Sequence, residues 1–201
     1  MTSNGMMKLA VFLMADSNYH IAGWRHPDAY VDAGSNLQRW IEFAPTLERG
    51  KLDMLFVADV IGVPGVRNPE YLSHTPTTDK FEPFTQLAAL STVTKNIGLV
   101  ATSATAYNER YFVARTLASL DHLTGGRAGC NLVTGRNAED AANFSQASHA
   151  AHNDRYQRAE EFVDVVRGLW GSYDLALPPG ILNSKFRIRK DTIPRFIEEP
   201  G

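Results

Sequence analysis

Asp59 stands where a short apolar run, Met54-Leu55-Phe56-Val57-Ala58, gives way to a turn-forming stretch with Gly62, Pro64 and Gly65. A carboxylate at such a strand end accepts hydrogen bonds from a ligand or caps its own turn. Thr105 lies just past another apolar run, where a hydroxyl can donate to a carbonyl or accept from a ring N–H; Thr102 and Ser103 are equally placed by spacing alone. His152 and Tyr156 are four residues apart, which sets imidazole and phenol on one face of a helix that starts this early. Beside the free amides of a helix start, that pair suits a phosphate, although a solvated helix start is the plainer reading of the two residues alone. His20, with Trp24 and His26, falls in the loop after the first apolar run and can wall a pocket. Asn131 and Thr134 close the last apolar run, either facing a site or serving as satisfied polar groups within a sheet.

The elements that must position these residues follow from the pattern of apolar positions. Continuous apolar runs at 9–14, 54–58, 97–101 and 128–133 read as strands buried on both faces. Between and after them, helical spacing predicts helices over 37–49, 84–93, 111–120 and about 153–170, with Gly50 ending the first and Pro83 opening the second. The Pro- and Thr-rich stretch before Pro83 reads as a long loop of the kind kept for function. Strand and helix alternate throughout, which predicts an α/β fold with a parallel sheet, either doubly wound or a (β/α) barrel. The first strand leads into Ala15-Asp16-Ser17-Asn18 and not a glycine-rich turn, and no Walker pattern occurs, so nucleotide-binding sheets are disfavoured. A whole barrel takes roughly 250 residues, so four units account for about half of one. Residues 8–173 form the expected domain; 174–201, with a basic alternating strip around Lys185 to Lys190, form an atypical tail.

Composition narrows the chemistry further. The chain has 201 residues, 44% hydrophobic and 21% charged, enough for a real core. Twenty Lys and Arg against 22 Asp and Glu leave a formal charge of -2, without the basic excess that nucleic-acid binding requires. No apolar stretch approaches the roughly 20 residues that span a bilayer, so no membrane role is expected. The single cysteine, Cys130, excludes an internal disulfide and favours a cytoplasmic setting. A metal centre is not expected, because the first strand carries no His-x-His pair; a serine hydrolase would need a Gly-x-Ser-x-Gly elbow.

Several separated motifs carry a family likeness in order: Trp24-Arg25-His26-Pro27, Phe56-Val57-Ala58-Asp59, the stretch from Gly98 to Thr105, Ser119 to Arg127, Asn131-Leu132-Val133-Thr134, and Arg155 to Phe162. Residues 8 to 173 resemble the N-terminal half of bacterial-luciferase-like FMN-dependent monooxygenases, in the branch of nitrilotriacetate monooxygenase component A and dibenzothiophene sulfone monooxygenase. The resemblance implies a (β/α)8 TIM-type barrel of which the first four βα units are present. It implies reduced FMN delivered by a separate NAD(P)H:FMN reductase, with O2 used to oxygenate a small organic or xenobiotic substrate. By the same likeness Asp59, Thr105, His152 and Tyr156 bind the cofactor, and His20, Asn131 and Thr134 are expected nearby. Cys130 departs from the pattern, because relatives commonly place a large aromatic residue there; a cysteine on a barrel strand is most often inert filler, and the smaller side chain is expected either to widen the barrel interior or to leave a void. A half-barrel also exposes sheet edges, which predicts homo-oligomerisation; the alternative reading is a truncated, catalytically inactive fragment.

Overall fold

In the computed structural model, residues 7–14, 22–63, 65–75, 79–135, 138–144 and 150–171 are described. Four strands, β1 (Ala10–Leu13), β2 (Met54–Val57), β3 (Gly98–Ala104) and β4 (Ala128–Val133), form one sheet in the order β1-β2-β3-β4, every pair parallel. Sequential parallel strands need a crossover after each one. Here α1 (Leu37–Arg49) follows β1, α2 (Pro69–Leu72) and α3 (Pro83–Leu90) follow β2, α4 (Arg110–Thr124) follows β3, and α5 (His152–Gly171) follows β4.

Side chains alternate across the sheet. Leu55, Val57, Leu99 and Ala101 are buried beneath the helices, where they meet Trp40, Ala44 and Leu47 of α1, Leu87 and Leu90 of α3, and Leu117 and Leu120 of α4. Phe162 and Val166 bring α5 into the same core. Each such fully buried side chain contributes roughly 1.5–3 kcal/mol. The register places Phe12, Phe56, Val100 and Gly129 in the intervening row, and the Phe12 and Phe56 rings touch at 4.9 Å between centroids. That row is only half-buried, because among the described residues no helix packs over it.

The ends of the helices have local causes. Glu82 caps α3 by accepting the amides of Phe84 and Thr85 at 2.9 and 2.7 Å, with Pro83 in the first turn as expected. The α3 helix stops at Leu90, three residues short of the expected end, and hydrogen-bonded turns follow. Pro45 removes one N–H from the α1 ladder without ending the helix. Gly50 is the C-cap of α1, yet its φ is −69°; the left-handed position falls on Lys51 at φ 62°. Part of the segment expected to be a long loop folds into α2, with Asn68 accepting the Tyr71 amide at 3.1 Å. β3 extends to Ala104, beyond the expected end at 101.

Candidate functional site

Asp59 lies two residues past the end of β2, and its side chain is 19% exposed. Burial pushes its carboxyl above the ordinary carboxylate range; Lys80 and the Val60 amide oppose that shift, while Glu82 and Asp140 reinforce it. The Lys80 ammonium is 3.9 Å away, a loose ion pair. Asp140 lies in a 3-10 helix, Ala138–Phe144, that follows β4, and it is 3% exposed. Its Oδ1 accepts the Gly62 amide at 2.8 Å across 78 residues of chain. A Cβ on Gly62 would lie 2.6 Å from that oxygen, so the backbone approach requires glycine.

Tyr107, just past β3, stacks on Phe144 with centroids 5.0 Å apart. Burial and then Asp140 hold its phenol above the usual range, and Arg155 of α5 opposes them. Asp59, Asp140, Tyr107 and Arg155 are therefore successive electrostatic neighbours. They join the loops after β2, β3 and β4 to the first turns of α5 at the C-terminal ends of the strands.

Thr105 ties the same rim together from below. It is closed to solvent; its amide and its hydroxyl both donate to the Val133 carbonyl, at 2.8 and 3.2 Å. Its own carbonyl accepts Arg158 Nε at 2.8 Å. Because the hydroxyl proton is given to Val133, Oγ1 has only lone pairs to offer a ligand. Thr102, equally placed by spacing, donates instead to the Val57 carbonyl at 2.8 Å, and Ser103 Oγ is buried without a partner.

His152 is the first residue of α5, and its ring lies 4.6 Å from that of Tyr156 at an interplanar angle of 35°. Both side chains are exposed at the start of the helix. Asn131 points its amide at Thr102 Oγ1 at 3.5 Å, the long end of a hydrogen bond, and Thr134 is half-buried just beyond β4. His20 lies outside the described residues. Trp24 carries the Arg25 guanidinium 5.0 Å from its ring centroid, and His26 Nδ1 accepts the Asp28 amide at 3.2 Å. A cavity of about 590 Å³ lies between the end of β1 and α1, lined by residues including His26, Tyr30, Arg39, Trp40 and Phe43; none of Asp59, Thr105, His152 or Tyr156 reaches it.

Cys130 packs against the helix-covered core, in register with buried Ala101, as expected of an inert filler; because it lies on the helix side of the sheet it does not widen the opposite face, which corrects that part of the expectation. Burial pushes its thiol up to about 12, so it stays protonated and unreactive at neutral pH. Among the described residues no group of three His, Cys, Asp or Glu is placed to hold a metal ion, and no helix is long and apolar enough to cross a membrane.

Asp140, Tyr107, Lys80 and Arg158 join the rim without having been singled out in the sequence. Arg158 sits inside the motif from Arg155 to Phe162, which was the available signal for it; nothing local pairs Gly62 with Asp140.

A parallel α/β sheet in the order β1-β2-β3-β4 with its polar rim at the strand C-termini is compatible with part of a TIM-type barrel, and the chain's likeness to known proteins decides for that class. Residues 17–189 match the luciferase-like monooxygenase family. The chain is 52% identical over 168 residues to N-acetyl-S-(2-succino)cysteine monooxygenase of Bacillus subtilis, covering 84% of this chain and 36% of the relative. It is 46% identical over 180 residues to nitrilotriacetate monooxygenase component A of Aminobacter aminovorans (87% and 40%), and 39% identical over 183 residues to dibenzothiophene-sulfone monooxygenase of Rhodococcus erythropolis (87% and 39%). Among solved structures, a long-chain alkane monooxygenase superposes with a TM-score of 0.77 at 32% identity, covering 87% of this chain and 41% of that one. A riboflavin lyase crystallised with modified FMN and riboflavin superposes with a TM-score of 0.74 at 36% identity, covering 81% and 37%. The chain belongs to the luciferase-like monooxygenase family, in the branch of the nitrilotriacetate and dibenzothiophene-sulfone enzymes. It spans 36% to 41% of the length of these relatives.

Proposed function

We propose that this chain grips FMN at the rim around Asp59 and serves a flavin-dependent monooxygenase that receives reduced FMN from a separate NAD(P)H:FMN reductase. The observation that carries this reading is the convergence at one rim of Asp59 with Lys80, the Gly62–Asp140 hydrogen bond, Tyr107 stacked on Phe144 and the Arg158–Thr105 bond, in a chain of this family. It gathers groups of the right chemistry for a flavin from four separate elements. Reduced FMN, when bound, supplies the activation of O2 that oxygenates a small organic substrate.

The residues of the chain have distinct tasks. Asp59, with its carboxyl biased toward the protonated form, donates to a ring carbonyl when neutral and accepts a ring N–H when ionised. Thr105 accepts a ring N–H through its remaining lone pairs. His152 and Tyr156, with the free amides of the α5 start, donate to the phosphate. His20, Asn131 and Thr134 belong to the surrounding wall on the substrate side. The functional unit is residues 8–173, and a homo-oligomer in the cytoplasm is the setting that fits this reading.

A second reading, a chain that binds FMN without turning over, draws on the open sheet: among the described residues β1 and β4 each pair with one strand only. One pair of measurements separates the two. Titration with FMN gives saturable quenching of protein fluorescence under both readings, and a flat titration overturns both. Oxygen uptake with an FMN reductase, NADH and candidate substrates, above the rate of the reductase alone, selects the oxygenase; uptake equal to that rate selects the second reading.

A further inference from the structure

His152 and Tyr156 occupy the first turns of α5, and both are exposed. The first residue of α5 to enter the core is Phe162, nearly three turns after His152. Something other than burial must fix where the first turns stand relative to the sheet. Among the described residues the Arg155 side chain hydrogen-bonds backward, to the Ala150 carbonyl at 2.6 Å just before the helix, while its charge also acts on Tyr107. Arg158 is, among the described residues, the first side chain along α5 whose hydrogen bonds reach the end of a strand: its Nε donates to the Thr105 carbonyl at 2.8 Å, and Nη2 approaches the Asn108 carbonyl at 3.5 Å. A half-buried guanidinium on a main-chain carbonyl is a charge-assisted bond of fixed direction. Thr105 is itself locked to β4 through Val133. The Arg158 bond therefore spans from a rigid point of the rim to the segment that carries the imidazole and phenol.

We propose that Arg158 is a positioning residue that struts the first turns of α5 against the end of β3 and thereby sets the preference of the site for FMN over riboflavin. The inference rests on the proposed flavin reading, in which Asp59 and Thr105 meet the ring while His152 and Tyr156 meet the phosphate. The two flavins share a ring and differ by the phosphate, so displacement of α5 alone weakens one and spares the other.

The test compares dissociation constants of oxidised FMN and riboflavin for the full chain, for Arg158→Ala and for Arg158→Lys. The wild-type chain should prefer FMN by about 10-fold or more, the scale of charge-assisted bonds to a phosphate. Arg158→Ala should lose most of that preference while riboflavin binding changes less than about twofold, and Arg158→Lys should recover part of it. Equal weakening of both flavins, or an unchanged preference, overturns the strut. A wild-type chain that binds neither flavin overturns the flavin reading, whereas one that binds both alike leaves that reading standing and overturns the selectivity proposed here. Hydrogen exchange without ligand tests the strut separately. Arg158→Ala should speed exchange over residues 152–158 and leave 162–171 unchanged; unchanged exchange over 152–158, or a uniform increase along α5, overturns it.

Discussion

Glu48 and Asp59 are both carboxylates beside β2, but at opposite ends of the sheet, and their surroundings differ in kind. At the strand N-termini, Glu48 accepts the amides of Lys95, Asn96 and Ile97, which hold its carboxyl below the ordinary range in spite of desolvation. Asp53 accepts the Leu9 amide at 2.9 Å and pairs with Lys8 at 3.0 Å. Arg127 spans from the end of α4 to the approach of β3, with Nε on the Thr124 carbonyl, Nη1 on Thr94 Oγ1 and the Ile97 carbonyl, and Nη2 on the Thr94 carbonyl, all within 3.2 Å. At the strand C-termini, Asp59 has one cation at 3.9 Å and two acids within electrostatic reach, and its carboxyl is pushed up. The carboxylates at one end are met by backbone amides, whereas at the other Asp59 has only a loose ion pair against burial and two acids, the kind of perturbed group that functional sites favour.

Substitutions at the two ends should separate stability from flavin binding. The largest effect is expected at Arg127, whose removal leaves the Thr94, Ile97 and Thr124 carbonyls short of donors. Arg127→Ala should lower unfolding stability by about 3 kcal/mol in a denaturant titration, with FMN affinity of the folded protein unchanged. A loss of affinity without a loss of stability would reverse the assignment of the two ends.

Asp59→Asn should do the opposite. FMN binding should weaken by about 10- to 100-fold, the scale of a lost hydrogen bond to a charged or acidic group. Folding should not suffer. Because the folded carboxyl is raised, it imposes no penalty below the ordinary carboxylate value and an increasing one as pH rises toward its folded value. At pH 7 the asparagine variant should therefore melt at or above the wild-type temperature, and the wild type should lose its deficit on acidification. A clear fall in melting temperature at pH 7 would remove the claim that Asp59 is held at a cost.

Glu48 has the reverse sign, with a smaller effect. Its carboxyl is lowered in the folded state, so its contribution is present above the ordinary carboxylate range and is lost as pH falls through the folded value. Glu48→Gln should cost about 1 kcal/mol at pH 7, because the amide oxygen still accepts, and the gap to wild type should close in acid. A gap that stays constant with pH would mean that charge contributes nothing at this corner.

The sheet was legible because its strands are written as unbroken apolar runs, and β4 falls on residues 128–133 as expected; the expected burial on both faces is not met, since β2 and β3 alternate buried with half-buried positions over most of their length and β1 and β4 hold no buried residue. The His152 and Tyr156 contact was legible because helix periodicity fixes neighbours four apart. What escaped was set by contacts between distant segments. Spacing treats Thr102, Ser103 and Thr105 alike, and only the approach of Val57, Val133 and Arg158 tells them apart. Asp140 meets Gly62 across 78 residues, through a 3-10 helix that has no apolar period of its own. Cys130 alternates to the helix side, a parity that depends on register with Ala101 and not on its own neighbours.

Lys51 gives the smallest and cleanest sharpening of the comparison. The turn after α1 bonds the Leu52 amide to the Leu47 carbonyl at 3.3 Å and the Lys51 amide to the Glu48 carbonyl at 3.0 Å, a closing pattern whose left-handed residue is usually glycine. Gly50 stands one position too early, and Lys51, at φ 62°, is the one non-glycine residue with positive φ among those described. A side chain there costs roughly 1 kcal/mol, and the extra freedom of glycine in the unfolded chain offsets part of the relief. Lys51→Gly should therefore raise stability by about 0.5 kcal/mol and the melting temperature by roughly 1–2 °C. FMN affinity should not move, because this turn adjoins Glu48 at the N-terminal ends of the strands. A change in FMN affinity on relief of this strain would show that the two ends are coupled through the sheet, and the division between a stability end and a binding end would no longer hold.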